Sequence, residues 1–175
     1  VRGLLADYYA TPDTWPVTRS LDRTLKAING RVPRQASVRS GLAGMATTLT
    51  TVILRGALLL FRARRRYPAV SARRQTGMAS TLTAVILRGG FYYFAHVGDT
   101  RLYLLRGGKL TRLRTDHVWD RPEMQHVPTR AIGLDSRLAI DHGMDELRER
   151  DVFLLASDGV WAAQTEYDIC SHLAE

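Results

Sequence analysis

The 175-residue chain has one cysteine, two lysines (Lys26 and Lys109) and, over a long internal stretch, no acid at all. The lone Cys170 excludes an intrachain disulfide and a cysteine-built zinc site, and such a chain is expected in a reducing compartment, with the cytoplasm as default. No run approaches the roughly 20 apolar residues of a membrane span. The opening VRGLLADYYATP lacks an apolar signal core with a small-residue cleavage site, and no membrane association is expected. An initiator Met is also missing, so the expectation is a fragment. Apolar residues still make up 45% of the sequence, enough for the core of about one ordinary domain, which excludes a disordered, collagen-like or mucin-like chain.

The net charge of +8 is regional. Between Arg23 and Gly98 there are 13 basic residues and no Asp or Glu, whereas the other 12 basic residues share their segments with all 17 acids. A nucleic-acid-binding face would be one reading of this asymmetry. An internal repeat supplies a better one.

GMATTLTTVILRG at 44–56 recurs as GMASTLTAVILRG at 77–89, an offset of 33 with eleven of thirteen positions identical. The protein-level similarity then stops, since ALLLFRARRRYPAVSA does not resemble GFYYFAHVGDTRLYLL. A set of codons nevertheless exists for residues 58–72 that, read one base later, encodes FYYFAHVGDTRLYLL, the sequence of residues 91–105. The expectation is a tandem duplication whose first copy slipped by one base. RARRR at 62–66 is then an out-of-frame image of AHVGD rather than a phosphate-binding patch, and no nucleic-acid partner is expected. Residues 57–76 are expected to loop out, because closure entropy grows slowly with loop length. The organisation expected is one partial domain over 1–175, with 44–76 a duplicated and partly frame-shifted insertion.

Leu21, Leu25 and Ile28 recur at helical spacing after a possible cap at Ser20, so helices are predicted at 4–10 and 20–29. TLTAVIL at 81–87 has strand character, as do 91–96, 101–106 and 109–113, the last two flanking Gly107-Gly108. These predict an antiparallel meander. DVFLLA at 151–156 reads as a buried strand and 165–173 as a closing helix. Strands in the centre with helices at both ends give an α+β layered domain.

Two acidic turns stand out, because each sets an Asp beside Gly directly after a strand pattern: Gly98-Asp99 in HVGDTR and Asp158-Gly159 in ASDGVW. Carboxylates at strand ends suit Mg²⁺ or Mn²⁺, which prefer oxygen ligands. Each pair alone more often marks an ordinary turn. Asp116-His117 offers a base or a ligand, although an isolated His more often serves structure.

Taken in order, GMASTLTAVIL, FAHVGDTRLYLLRGGKLTRL, TDH, TRAIG and DVFLLASDGVW resemble the PPM-type (type 2C) metal-dependent protein serine/threonine phosphatases, bacterial members above all. The resemblance covers 76–175 and, more weakly, the first 35 residues. It implies an antiparallel β-sandwich flanked by helices, with Mn²⁺ or Mg²⁺ in a cleft activating a water that attacks phosphoserine or phosphothreonine, so no side chain is itself the nucleophile. By motif, Asp158 corresponds to a ligand of the two-metal centre and Asp99 to a ligand of an additional ion. Gly98, Thr100, Arg101, Asp116, His117 and Gly159 belong to the same motifs, and residues 118–129 stand where the family has a mobile flap. Phosphoproteins, and a cognate serine/threonine kinase, are the partners it implies.

The chain also departs from the pattern. The Arg-x-x-Asn-Glu-Asp and Asp-Gly-x-Gly-Gly segments that open the family, and the Asp-Asn segment near its end, are absent, which suggests an incomplete sandwich truncated at both ends. Arg114 stands for a usual Thr, Pro128 for a Leu, and Arg150 for a turn Gly. One core and one auxiliary carboxylate do not satisfy a two-ion centre. The chain itself is therefore expected to be inactive, and the alternative function is a non-catalytic, phosphatase-like interaction module.

Overall fold

Alternation along two neighbouring strands builds both cores of this protein. The computed structural model describes residues 2–38, 46–54, 57–65, 79–124 and 127–174. In β3 (Ala79–Arg88), Leu82, Ala84 and Ile86 point to one face while Val85 and Leu87 point to the other. In β4 (Phe91–Val97), Ala95 and Val97 share the first face, and Tyr92 and Phe94 the second. The first face is covered by α1 (Arg2–Tyr9) and α2 (Val17–Val38), through Leu4, Val17, Leu21, Leu25 and Val32. The second meets β5 (Arg101–Arg106) and β8 (Val152–Ala156) through Leu102, Leu104, Phe153 and Leu155. Helices, a five-stranded sheet and a three-stranded sheet thus form successive layers.

The larger sheet has the order β2-β1-β3-β4-β7, and the smaller β6-β5-β8. Here β1 is Ala46–Leu54, β2 Ala57–Arg65, β6 Lys109–Arg112 and β7 Asp141–Glu146. Every pair is antiparallel except β1 with β3. That parallel pair runs from Ala46 opposite Ala79 to Leu54 opposite Leu87, so residues 46–54 each lie beside their own duplicate.

Several sequence expectations are corrected. Residues 57–65 do not loop out: they pair with β1 as the edge strand β2, because an edge asks only for backbone bonding on one side. Residues 66–76, the rest of that expected loop, lie outside the described residues. The predicted meander is broken, since the chain leaves the large sheet after β4 and enters the small one at β5. The crossing is made at Gly98, whose φ of 111° only glycine adopts readily. Helix α2 runs on past Asn29 to Val38 because Asn29 does not stop it. Its side chain instead bonds the Asp135 carbonyl at 2.8 Å and the Gly133 N–H at 2.6 Å, pinning the TRAIG loop to the helix. Strand β7, DHGMDE, was not expected because it lacks apolar alternation; it is held by backbone pairing to β4.

Two of the departures have structural consequences. Arg114 donates to the His142 carbonyl at 2.8 Å and lies 4.7 Å from the Phe94 ring centroid. Gly143, opposite Phe94, leaves room for that ring, which an added Cβ would overlap. Arg150 has φ 64°, the left-handed conformation that an L side chain resists.

His96 on β4 is 1% exposed. Thr83 Oγ1 donates to the Thr100 carbonyl at 3.3 Å, so the 2.9 Å contact between this hydroxyl and His96 is a donation from Nδ1–H. Nε2 is then buried with no hydrogen-bond partner among the described residues. Burial, and secondarily the neighbouring His117, push the His96 pKa from 6.5 down to about 4.

Three measurements check these points. Arg150→Gly should raise stability by about 0.5–1 kcal/mol, the relief of left-handed strain less the added freedom of glycine in the unfolded chain; an unchanged or lower urea midpoint refutes the strain. Gly98→Ala should cost about 3 kcal/mol, because the new Cβ would overlap the Thr81 side chain in a backbone conformation already unfavourable to alanine. The His96 contribution to stability is fully present above its unfolded pKa of 6.5 and declines as pH falls toward about 4, since the unfolded chain takes up the proton first. The expected loss is about 3 kcal/mol, and His96→Asn should flatten the dependence of the urea midpoint on pH between 7 and 4.5.

Candidate functional site

Strands β4 and β8 belong to different sheets, yet the turns that follow them meet. Asp99 follows β4 through Gly98, while Asp158 follows Ser157 and opens the one-turn helix α3 (Asp158–Trp161). A single helical turn separates Asp158 from Trp161, whose indole Nε1–H donates to the Asp99 carbonyl at 3.2 Å. The Arg101 guanidinium stacks on the same indole, 3.8 Å from its centroid. Asp99 is 4% exposed and Thr100 1% exposed, whereas Asp158 is half-buried and accepts the Gly159 N–H at 2.9 Å.

Asp116 and His117 hold the two flanks of the Asp99 turn. Asp116 accepts Arg101 Nη2 at 2.8 Å and Nε at 2.9 Å, a forked bond after the turn, and Arg112 lies 3.6 Å away. Burial works against the Arg101 charge, but the bonds to Asp116 outweigh it and hold the guanidinium above its ordinary range. On the other flank, the Gly98 N–H donates to His117 Nδ1 at 3.1 Å, and the His117 N–H donates to the Gly98 carbonyl at 2.8 Å. With Nδ1 accepting, neutral His117 carries its proton on Nε2, which faces Asp141 Oδ2 at 3.2 Å. Burial alone would raise Asp141, yet His117 and Arg130 hold its carboxyl below the usual range. Asp116 and His117 thus clamp the two flanks of the turn.

Thr100 completes the floor, its hydroxyl 3.3 Å from that of Thr81 on the neighbouring strand. The segment 118–129 is anchored at its base, with Val118 bridged to Pro128 and the Thr129 N–H bonded to the His117 carbonyl at 2.7 Å. Between these anchors Trp119 is 48% exposed.

The structure thus gathers Gly98, Asp99, Thr100, Arg101, Asp116 and His117 into one assembly and brings the Asp158-Gly159 turn to it through Trp161. It adds His96, Thr83, Arg130, Asp141 and Trp161, which the sequence did not single out. Arg130 and Trp161 were present in the strings TRAIG and SDGVW, but their partners lie 11 and 62 residues away in the chain. Among the described residues there is no group of three or more His, Cys, Asp or Glu placed to hold a metal ion. β1, the strand beside β3, has no carboxylate in its sequence. Among the described residues the donors do not fit a two-ion centre.

No family model and no curated protein sequence matches the chain. Solved structures do. The chain is similar to PppA, described as a key regulatory component of T6SS in Pseudomonas aeruginosa, at 23% identity and TM-score 0.69 over 99% of this chain and 65% of that one. It is similar to the Mycobacterium tuberculosis serine/threonine phosphatase PstP/Ppp at 22% identity and TM-score 0.65, covering 96% of this chain and 63% of the other. The catalytic domain of PstP in complex with 2 manganese ions aligns at 22% identity and TM-score 0.64, over 99% of this chain and 66% of that domain. The chain spans just under two thirds of the length of these neighbours. No described helix is long and apolar enough to cross a membrane. At the level of architecture the assignment follows: this chain has the fold of the PPM-type serine/threonine phosphatases.

Proposed function

We propose that the chain is a phosphatase-fold module in which Asp99 and Asp158 are carboxylates of a site for phosphoserine and phosphothreonine, and that by itself it does not hydrolyse them. The observation that carries this reading is the bond from Trp161, three residues after Asp158, to the Asp99 carbonyl, which joins the two acidic turns at one end of the sandwich. A manganese-bound neighbour and the phosphatase description of its relatives support the substrate class. The donor set argues against turnover. Mn²⁺ and Mg²⁺ take about six oxygen ligands each, several of them waters, and a pair of ions needs more anionic charge than two carboxylates supply. No hydrolytic step is derived for this chain.

The alternative, a non-catalytic module that binds phosphoproteins or a cognate kinase, is favoured by one specific feature. Among the described residues, Asp116, His117 and Trp161 all bond the chain around Asp99, bracing a surface on which a partner could dock. We further read residues 1–175 as one domain in which 44–76 is a tandem duplication with a changed frame, which the DNA sequence of the locus tests directly.

The purified chain, shown by circular dichroism to be folded, should release no p-nitrophenol from p-nitrophenyl phosphate in Mn²⁺ beyond the rate of the ion alone, and no phosphate from a phosphothreonine peptide. Asp158→Asn should leave both readings unchanged. Robust Mn²⁺-dependent turnover that disappears in Asp158→Asn would show that enough ligands are present and overturn the proposal.

A further inference from the structure

Among the side chains of helix α2 that the structure describes, Arg19, Arg23, Lys26 and Arg31 are basic and exposed. Two of them are neutralised within the fold: Lys26 pairs with Asp22 at 2.8 Å, and Arg31 with Asp7 at 2.6 Å. The other Asp22 oxygen faces His142 Nε2 at 3.5 Å. Arg19 and Arg23 have no carboxylate partner among the described residues. Both guanidiniums instead lie over one indole, that of Trp15, at 4.0 Å and 5.2 Å from its centroid. Trp15 is set just ahead of the helix by a turn between Pro12 and Pro16, in which its N–H bonds the Pro12 carbonyl at 2.9 Å.

This arrangement concentrates positive charge that no ion pair among the described residues neutralises, the exposed Asp13 of the preceding turn included. Like charges at i and i+4 repel, and stacking restrains two long side chains at an entropic cost. A guanidinium stacked by its flat face keeps its in-plane N–H donors at the edge, where they are available to a ligand. Two such forks carry two positive charges and match a compact dianion with several acceptor oxygens. A phosphate monoester has nearly two negative charges and three terminal oxygens, whereas a carboxylate has one charge and two oxygens. A nucleic acid is a poorer match, because it presents a run of phosphates and seeks open aromatic faces for its bases, while guanidiniums already lie over this indole.

We propose that Trp15, Arg19 and Arg23 form a binding site for the phosphoryl group of a phosphorylated serine or threonine on a partner polypeptide. The site is separate from the Asp99–Asp158 corner and does not depend on metal there.

The test titrates the full chain, in chelator and low salt, with a phosphothreonine peptide while the arginine Nε–H resonances are followed by NMR. Saturable shifts at Arg19 and Arg23 are expected, with inorganic phosphate competing for the same resonances and the unphosphorylated peptide leaving them unmoved. Arg19→Ala/Arg23→Ala should weaken binding at least tenfold, and Trp15→Leu several-fold. Asp99→Asn/Asp158→Asn should bind as the parent does, which keeps this result distinct from any failure of the phosphatase reading. The proposal is overturned by absence of saturation, by equal binding of the unphosphorylated peptide, by undiminished binding in the double-alanine variant, or by tighter binding of a single-stranded oligonucleotide. Amide spectra of each variant establish that it is folded.

Discussion

The paired grip of Asp116 and His117 on the chain around Asp99 is the constraint on which the acidic corner depends. Gly98 sits at a φ that costs most residues dearly, and it marks the place where the chain passes from one sheet to the other. His117 takes up both backbone groups of Gly98, and Asp116 fixes Arg101 by a charge-assisted fork, a class of bond with a net value of roughly 1.5–3 kcal/mol. Arg101 in turn supports Trp161, and Trp161 reaches back to the Asp99 carbonyl. The loop of contacts closes on itself around the buried Asp99.

The repeat separates what the fold requires from what the site requires. Strand β1 lies beside its own duplicate in register, and β2 pairs back onto β1 after two residues. In the second copy the equivalent of Leu54, Leu87, pairs with Tyr92 rather than with the residue three positions on, so the two hairpins differ in register. Strand formation tolerates this because backbone bonds are indifferent to sequence, so ALLLFRARR pairs as an edge strand although Phe61 is its only residue of high strand propensity. A Gly-Asp turn has no such tolerance. If the first copy is a frame-shifted image, the shift preserved a strand and erased HVGDT, so the sheet grew without the site gaining a carboxylate.

Legibility followed the range of the interactions involved. The spacing of Leu21, Leu25 and Ile28, the alternation of TLTAVIL and the Gly107-Gly108 turn are local signals; the strands they predicted appear at nearly the predicted residues, and the helix appears where predicted but runs nine residues further, to Val38. The break of the meander at Gly98 was not legible, because a hairpin and a sheet crossing place similar strands on either side of a turn. Strand β7 was hidden because its sequence is polar and its only strong commitment is to the backbone of β4. In the site, Asp99, Arg101, Asp116 and His117 stood out as motif residues, but whether Asp116-His117 clamps or reacts depended on partners 15 and 19 residues away. Trp161 had no local signal at all, since its importance lies in a bond across the two sheets.

Charge placement obeys the same logic of available partners. Beyond Gly98, acids and bases are interspersed, and the arginines that matter there find carboxylates: Arg101 with Asp116, Arg106 with Asp151, Arg130 with Asp141. Before Gly98 there are three acids, of which Asp7 pairs with Arg31 and Asp22 with Lys26, while Asp13 lies in the turn ahead of α2 and no ion pair joins it to Arg19 or Arg23 among the described residues. Arg19 and Arg23 therefore settle over an aromatic face, which accommodates a cation without neutralising it. An arginine bound to a carboxylate has its donors occupied and is a structural part. One held by an indole is ordered yet still charged, and that combination of low residual entropy and uncommitted donors is what recognition of an external anion requires.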